Sequence, residues 1–84
     1  MQPSAVVITV VDCNKQKLRI LLHGPNLTVE DVKRQIQEQM GNPVREQRLI
    51  YKGMLLSNAH KLVSYGIEQK AQLQLDAASF RATF

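Results

Sequence analysis

The feature that most restricts the fold is one amphipathic segment with a stop at each end. In "LTVEDVKRQIQEQMGNP", Leu27 to Pro43, the apolar residues Val29, Val32, Ile36 and Met40 share one stripe at about 100° per residue. Thr28 stands where an N-cap is needed, and Glu30 and Asp31 place negative charge in the first turn, where the helix dipole favours it. Leu27 and Val32 have the spacing of a hydrophobic staple, and Gly41 and Pro43 supply the stop. The spacing predicts a helix of about thirteen residues. Its other face carries Glu30, Arg34 and Glu38, a charge row that reads as solvated surface. A lone helix with one apolar face needs a sheet to bury it, so the rest of the chain must supply strands.

It does. "VVITVV", Val6 to Val11, and "LRILL", Leu18 to Leu22, are two strands joined as a hairpin through "DCNKQK", where Asn14 tolerates a left-handed turn. Period-two geometry turns Val6, Ile8 and Val10 inward and Val7, Thr9 and Val11 outward. "HGP", His23 to Pro25, breaks the chain before the helix. After it "QRLIYKG" reads as a strand ending at Gly53, and "MLLSNAHKL" as a turn at Ser57 and Asn58 that partly buries Leu55, Leu56 and Leu62. "AQLQL" alternates, with Leu73 and Leu75 in and Gln72, Gln74 and Asp76 out. The expected class is α+β, a mixed four- to five-stranded sheet wrapped over one α-helix. The domain is expected over 6–76, with 1–5 a disordered N-terminal tail and 77–84 a C-terminal tail or the start of a linker. Phe80 and Phe84 in that tail are at helical spacing but have no cap.

Eighty-four residues with 44% hydrophobic and 5% aromatic content suffice for one modest core. Lys and Arg exceed Asp and Glu by 4, a mild surplus that favours an acidic partner. Cys13 is the one cysteine, so no internal disulfide or thiolate cluster can form, and a reducing compartment, cytoplasmic and/or nuclear, fits best. No apolar run reaches the roughly 20 residues needed to span a bilayer, and no membrane role is expected. His23 and His60 are isolated, no nucleophile is paired with a base, and the glycines are scattered rather than clustered as a phosphate cradle. No enzymatic activity, cofactor or metal is therefore expected. Lys15, Lys17 and Arg19 form a small basic cluster but lack the exposed aromatics that stack on bases, which leaves nucleic acid unlikely as a partner.

The stretch from Thr28 to Leu75 resembles ubiquitin without a gap: capped helix, Gly and Pro, "QRLIYKG", Leu56, Leu62, "YGI" and a final alternating strand. The first hairpin matches more loosely. The resemblance implies the ubiquitin-like β-grasp fold, with the first and last strands central. It also implies a structural Tyr65 whose hydroxyl caps a nearby loop backbone. Conjugated members end in a Gly-Gly tail, whereas "DAASFRATF" has no glycine, which implies a non-conjugated member, part of a larger protein. Lys33 retains a family lysine, while Met54 and Gln69 stand at two positions often used for chain linkage.

Ubiquitin-like domains are read through an apolar patch on the open sheet face. The resemblance places that patch at Ile50, with Val11 or Cys13 nearby, Gly53 beside it and Gln74 on the next strand. Arg48, Lys52 and Arg19 would give it basic neighbours, suited to acidic amphipathic helices of ubiquitin receptors or proteasome subunits. Asp76 would shrink the patch unless a cation meets it. The expected function is non-enzymatic recruitment of ubiquitin receptors, proteasome or chaperone machinery by a monomeric domain. The alternative is an intramolecular or complex-assembly module.

Overall fold

The computed structural model describes residues 5–77. Helix α1 spans Val29–Met40, 12 residues between the expected Thr28 cap and Gly41. The cap is reciprocal: Asp31 N–H donates to Thr28 Oγ1 at 3.3 Å, and Thr28 N–H donates to Asp31 Oδ2 at 2.8 Å. Gly41 ends the helix at φ +86°, its N–H donating to the Gln37 carbonyl at 2.8 Å.

Five strands complete the architecture: β1 Ala5–Val11, β2 Lys17–His23, β3 Gln47–Tyr51, β4 Met54–Leu55 and β5 Gln72–Ala77. Their order across the sheet is β2-β1-β5-β3-β4, with β1 and β5 parallel and the other neighbours antiparallel. This is the expected β-grasp, with β1 and β5 inside the sheet and α1 lying across its concave face. Ile8, Val10, Ile20, Leu22, Leu49, Leu73 and Leu75 meet Val29, Val32 and Ile36 in one core. Leu56, Leu62 and Ile67 from the 56–67 connection close its end. Val6, Leu27 and Met40 pack partly buried against it.

Several expectations need correction. Ala5 pairs with His23 and Ala77 with Gln47, so the domain extends one residue past each expected boundary. Residues 1–4 and 78–84, with Phe80, Phe84 and the glycine-free end, lie outside the described residues. β3 stops at Tyr51 rather than Gly53, because Lys52 at φ +52° and Gly53 at φ +81° form a two-residue turn that sends β4 back along β3. Leu55 is therefore 61% exposed instead of partly buried, whereas Leu56 and Leu62 are buried as expected. In the first hairpin Lys15, not Asn14, takes the left-handed conformation, at φ +64°.

Two polar features tie the elements together. Tyr65 Oη accepts from Ser57 N–H at 3.0 Å, the loop-capping role the resemblance implied, and lies 2.9 Å from His60 Nδ1. The buried Gln47 donates through Nε2 to the carbonyls of Lys33 at 2.8 Å and Asn42 at 2.9 Å, fastening β3 to the helix and its exit.

Candidate functional site

Strand pairing alone builds the outer face. Residues in register across a sheet point the same way, so the pairs Lys17–Val11, Val11–Gln74, Gln74–Ile50 and Ile50–Leu55 form one transverse row over all five strands. Leu49 on β3 is fully buried, which turns its neighbour Ile50 outward. Ile50 and Val11 are half-buried and Gln74 is exposed. The row is thus aliphatic at Val11, Ile50 and Leu55, with the exposed Gln74 standing between Val11 and Ile50.

Val11, Ile50 and Gln74 share a shallow depression with Lys15, Lys17 and Lys52. Its one carboxylate, Asp12, is buried, and Asp12 Oδ1 accepts from Asn14 and Gln16 N–H, each at 2.9 Å. The depression therefore offers solvent a floor that mixes Val11 and Ile50 with the Gln72 and Gln74 amides, and ammonium groups around it. Lys52 Nζ lies 5.2 Å from the centroid of the Tyr51 ring, a cation–π contact. Gly53 adds no side chain to the site and serves its turn.

Arg48 is exposed one step along the strand, directly opposite Asp76. The register sets a cation and a carboxylate side by side next to the Ile50 row, with no ion pair between them. Arg19 stands apart from Ile50: it pairs with Thr9 and lines a second depression with Val7 and Lys70. Cys13 is exposed at the rim.

Of the residues expected from sequence, Val11, Ile50, Lys52 and Gln74 converge. Arg48 flanks them, and Gly53 acts through the backbone. Sequence reasoning missed Leu55, which the two-residue Lys52–Gly53 turn brings opposite Ile50. An "xKGx" flanked by apolar residues carries that hairpin signal. It also placed Lys15 and Lys17 in a separate basic cluster, although the β1–β2 register sets both on the wall of the Ile50 depression.

Lys33 is only 6% exposed, and its Nζ donates to Asn58 Oδ1 at 2.6 Å. Burial lowers its pKa from the ordinary 10.5, with the Glu30 carboxylate opposing the shift. This lysine is not presented to solvent for linkage. Among the described residues no three His, Cys, Asp or Glu side chains are grouped so as to hold a metal, and no helix is long and apolar enough to cross a membrane.

A family model described as the ubiquitin family matches residues 8–77. Ubiquitin-like protein 4A of Anoplopoma fimbria is 43% identical over 47 residues, 56% of this chain and 30% of that protein. Ubiquitin-like protein 4A of Danio rerio is 40% identical over 50 residues, 60% of this chain and 32% of that protein. The E3 ubiquitin-protein ligase UPL5 of Arabidopsis thaliana is 42% identical over 59 residues, 69% of this chain but 7% of the ligase. The match covers no more than about a third of any of these relatives.

Proposed function

This chain belongs to the ubiquitin family, and on that premise we propose that it is a non-catalytic docking module of the ubiquitin pathway, whose outer sheet face receives an acidic amphipathic helix from a ubiquitin receptor or proteasome subunit. One observation carries the reading: Ile50 stands half-exposed in one row with Val11, Gln74 and Leu55, and the accessible charges that line its depression belong to Lys15, Lys17 and Lys52. An apolar anchor of this kind gains by losing water, and the ring of ammonium groups selects partners that bring carboxylates to the rim. The helical form of the partner follows from the sheet. β5 and β3 are hydrogen-bonded on both edges, so an extended peptide laid over Ile50 finds no backbone groups to pair with and must satisfy its own.

The relatives support a modular role, since their matching stretch is a fraction of a longer protein. One exposed thiol, Cys13, fits a reducing cytoplasmic or nuclear setting.

The test is an amide-shift titration of the chain with an acidic amphipathic receptor helix. Perturbations are expected at Val11, Ile50 and Gln74, and Ile50→Ala is expected to weaken binding by about 1–3 kcal/mol while leaving thermal stability almost unchanged. Absence of any response at millimolar peptide, or shifts confined to the helix side of the domain, would overturn the reading.

A further inference from the structure

The same outer face carries a second apolar feature that the Ile50 site does not use. Val7 on β1 lies directly opposite Leu21 on β2, and Leu21 is 49% exposed although it sits in the middle of a strand. Both point away from the core, because Ile8 and Ile20 beside them are fully buried. Leu21 borders Asp31, Arg34 and Glu38 of α1, whereas Val7 lines a separate depression with Arg19, Lys70 and Gln69 in which no acidic residue takes part. Its wall is fixed by backbone bonding: Val7 N–H donates to Gln69 Oε1 at 2.6 Å, Gln69 Nε2 donates to the Ala5 carbonyl at 3.0 Å, and Lys70 N–H donates to the Val7 carbonyl at 2.8 Å. The Gln69 amide thereby continues the ladder of β1 where β5 has not yet begun, and Lys70 is held at the rim.

We propose that Val7, flanked by Leu21, is a second anchor, and that Val7 and Ile50 together recognise one acidic helix whose apolar residues stand about eleven positions apart. The proposal rests on the docking reading of Ile50 and specifies the partner. Val7 lies four residues from Val11 along β1, about 13 Å at the rise of a strand. Ile50, in the Val11 row, lies two strand spacings to the side, about 9.6 Å. The diagonal between anchors is then about 16 Å, the length of about eleven helical residues, which also return to within about 20° of the same helix face. Beneath the middle of that diagonal Thr9 and Gln72 face each other, polar and in register, with Arg19 adjacent to Thr9. The residues of the partner between its two anchors therefore meet polar groups and a guanidinium, which carboxylates complement and further apolar residues do not.

The experiment uses the 84-residue chain and three synthetic acidic helical peptides that differ only in leucine placement. One carries a single leucine, one a second leucine eleven positions on, and one a second leucine seven positions on. Calorimetric titration is expected to show the eleven-spaced peptide binding about tenfold tighter than the single-leucine peptide, with a smaller gain for the seven-spaced one. The paired substitution Val7→Thr and Leu21→Gln, at surface positions and strand-compatible, is expected to remove that gain and leave the affinity of the single-leucine peptide unchanged. Ile50→Ala is expected to weaken all three. Equal binding of the single-leucine and eleven-spaced peptides, or a gain that survives the paired substitution, overturns the second anchor alone. Failure of every peptide to bind overturns the Ile50 docking reading and the second anchor together.

Discussion

Lys15 occupies a backbone region, φ +64°, where a Cβ crowds the neighbouring carbonyl. The hairpin nevertheless puts a lysine there, because its hydrogen bonds leave little choice of geometry. Asp12 Oδ1 collects the Asn14 and Gln16 N–H groups at 2.9 Å each, and the Asp12 carbonyl accepts from Lys15 N–H at 2.9 Å. With both ends tied to Asp12, the residue that must turn left-handed is the third after it. The composition of the loop points to Asn14 as the residue that most easily tolerates the turn, but the buried Asp12 decides the register, and a loop composition does not reveal which of its side chains will be buried. The strained lysine contributes an ammonium to the wall of the Ile50 depression. Lys15→Gly should relieve the crowding, and after the entropy that glycine adds to the unfolded chain the net gain should be about 0.5 kcal/mol, measured by urea unfolding. Lys15→Ala keeps the strain and should show no gain. Both should weaken acidic-helix binding equally. Greater stability for the alanine variant than for the glycine variant would contradict the strain account.

At the scale of elements, α1 is seated by polar contacts as well as by its stripe. Lys33 lies beside the stripe, and in sequence it stands out only as a lysine that the family resemblance retains. The connection after β4 folds back over it: the Asn58 side chain receives Lys33 Nζ, and the Asn58 carbonyl accepts Glu30 N–H at 3.2 Å. One asparagine thus covers the first turn of the helix and satisfies the buried ammonium. Burial lowers the pKa of Lys33 in the folded state. The folded chain therefore gives up that proton at lower pH than the unfolded chain, so stability rises with pH from the lowered value up to the ordinary 10.5 and is flat well below both. Lys33→Met should abolish the Lys33 contribution to that slope, visible as a smaller gain in unfolding free energy between neutral and alkaline pH than the wild type shows. Asn58→Asp should bring a carboxylate to Nζ, raise the pKa of Lys33 and reduce or invert the slope. An unchanged slope in both variants would mean that Lys33 is not the titrating group. The helix itself was legible, since its caps, stripe and stop are all local. The asparagine that seats it was not, because its partner is 25 residues away and asparagine in a turn has an ordinary local explanation.

Across the whole molecule, period-two alternation was enough to sort the core strands, and Leu73 and Leu75 are buried while Gln72 and Gln74 are exposed, as the pattern requires. What the pattern does not carry is lateral neighbourhood: that Lys17, Val11, Gln74, Ile50 and Leu55 form one row depends on four registers set by turns and by long-range pairings such as the parallel β1–β5 one. The resemblance supplied part of that row, and local patterning misplaced Leu55, which the Lys52–Gly53 turn points outward. The same lateral arrangement segregates charge. Lys17, Arg19, Lys52 and Lys70 lie on the outer sheet face, whereas Glu30 and Glu38 lie on α1, across the core from it, with Arg34 tied to Glu30 at 2.9 Å. Cations therefore outnumber carboxylates on the side that holds both apolar anchors, where Asp76 is exposed as well. A field of this form acts on an approaching acidic helix before any contact is made, and it decays over about 10 Å at 0.1 M salt. Raising the salt from about 0.02 to 0.5 M should slow association with the acidic peptide by about tenfold or more, while dissociation, governed by the buried aliphatic contacts, should change by less than about twofold. Lys17→Gln together with Arg19→Gln should flatten the salt dependence of association without altering dissociation comparably. Stopped-flow kinetics separates the two rates, and a salt effect residing mainly in dissociation would locate the ionic contacts inside the docked interface instead of at its approach.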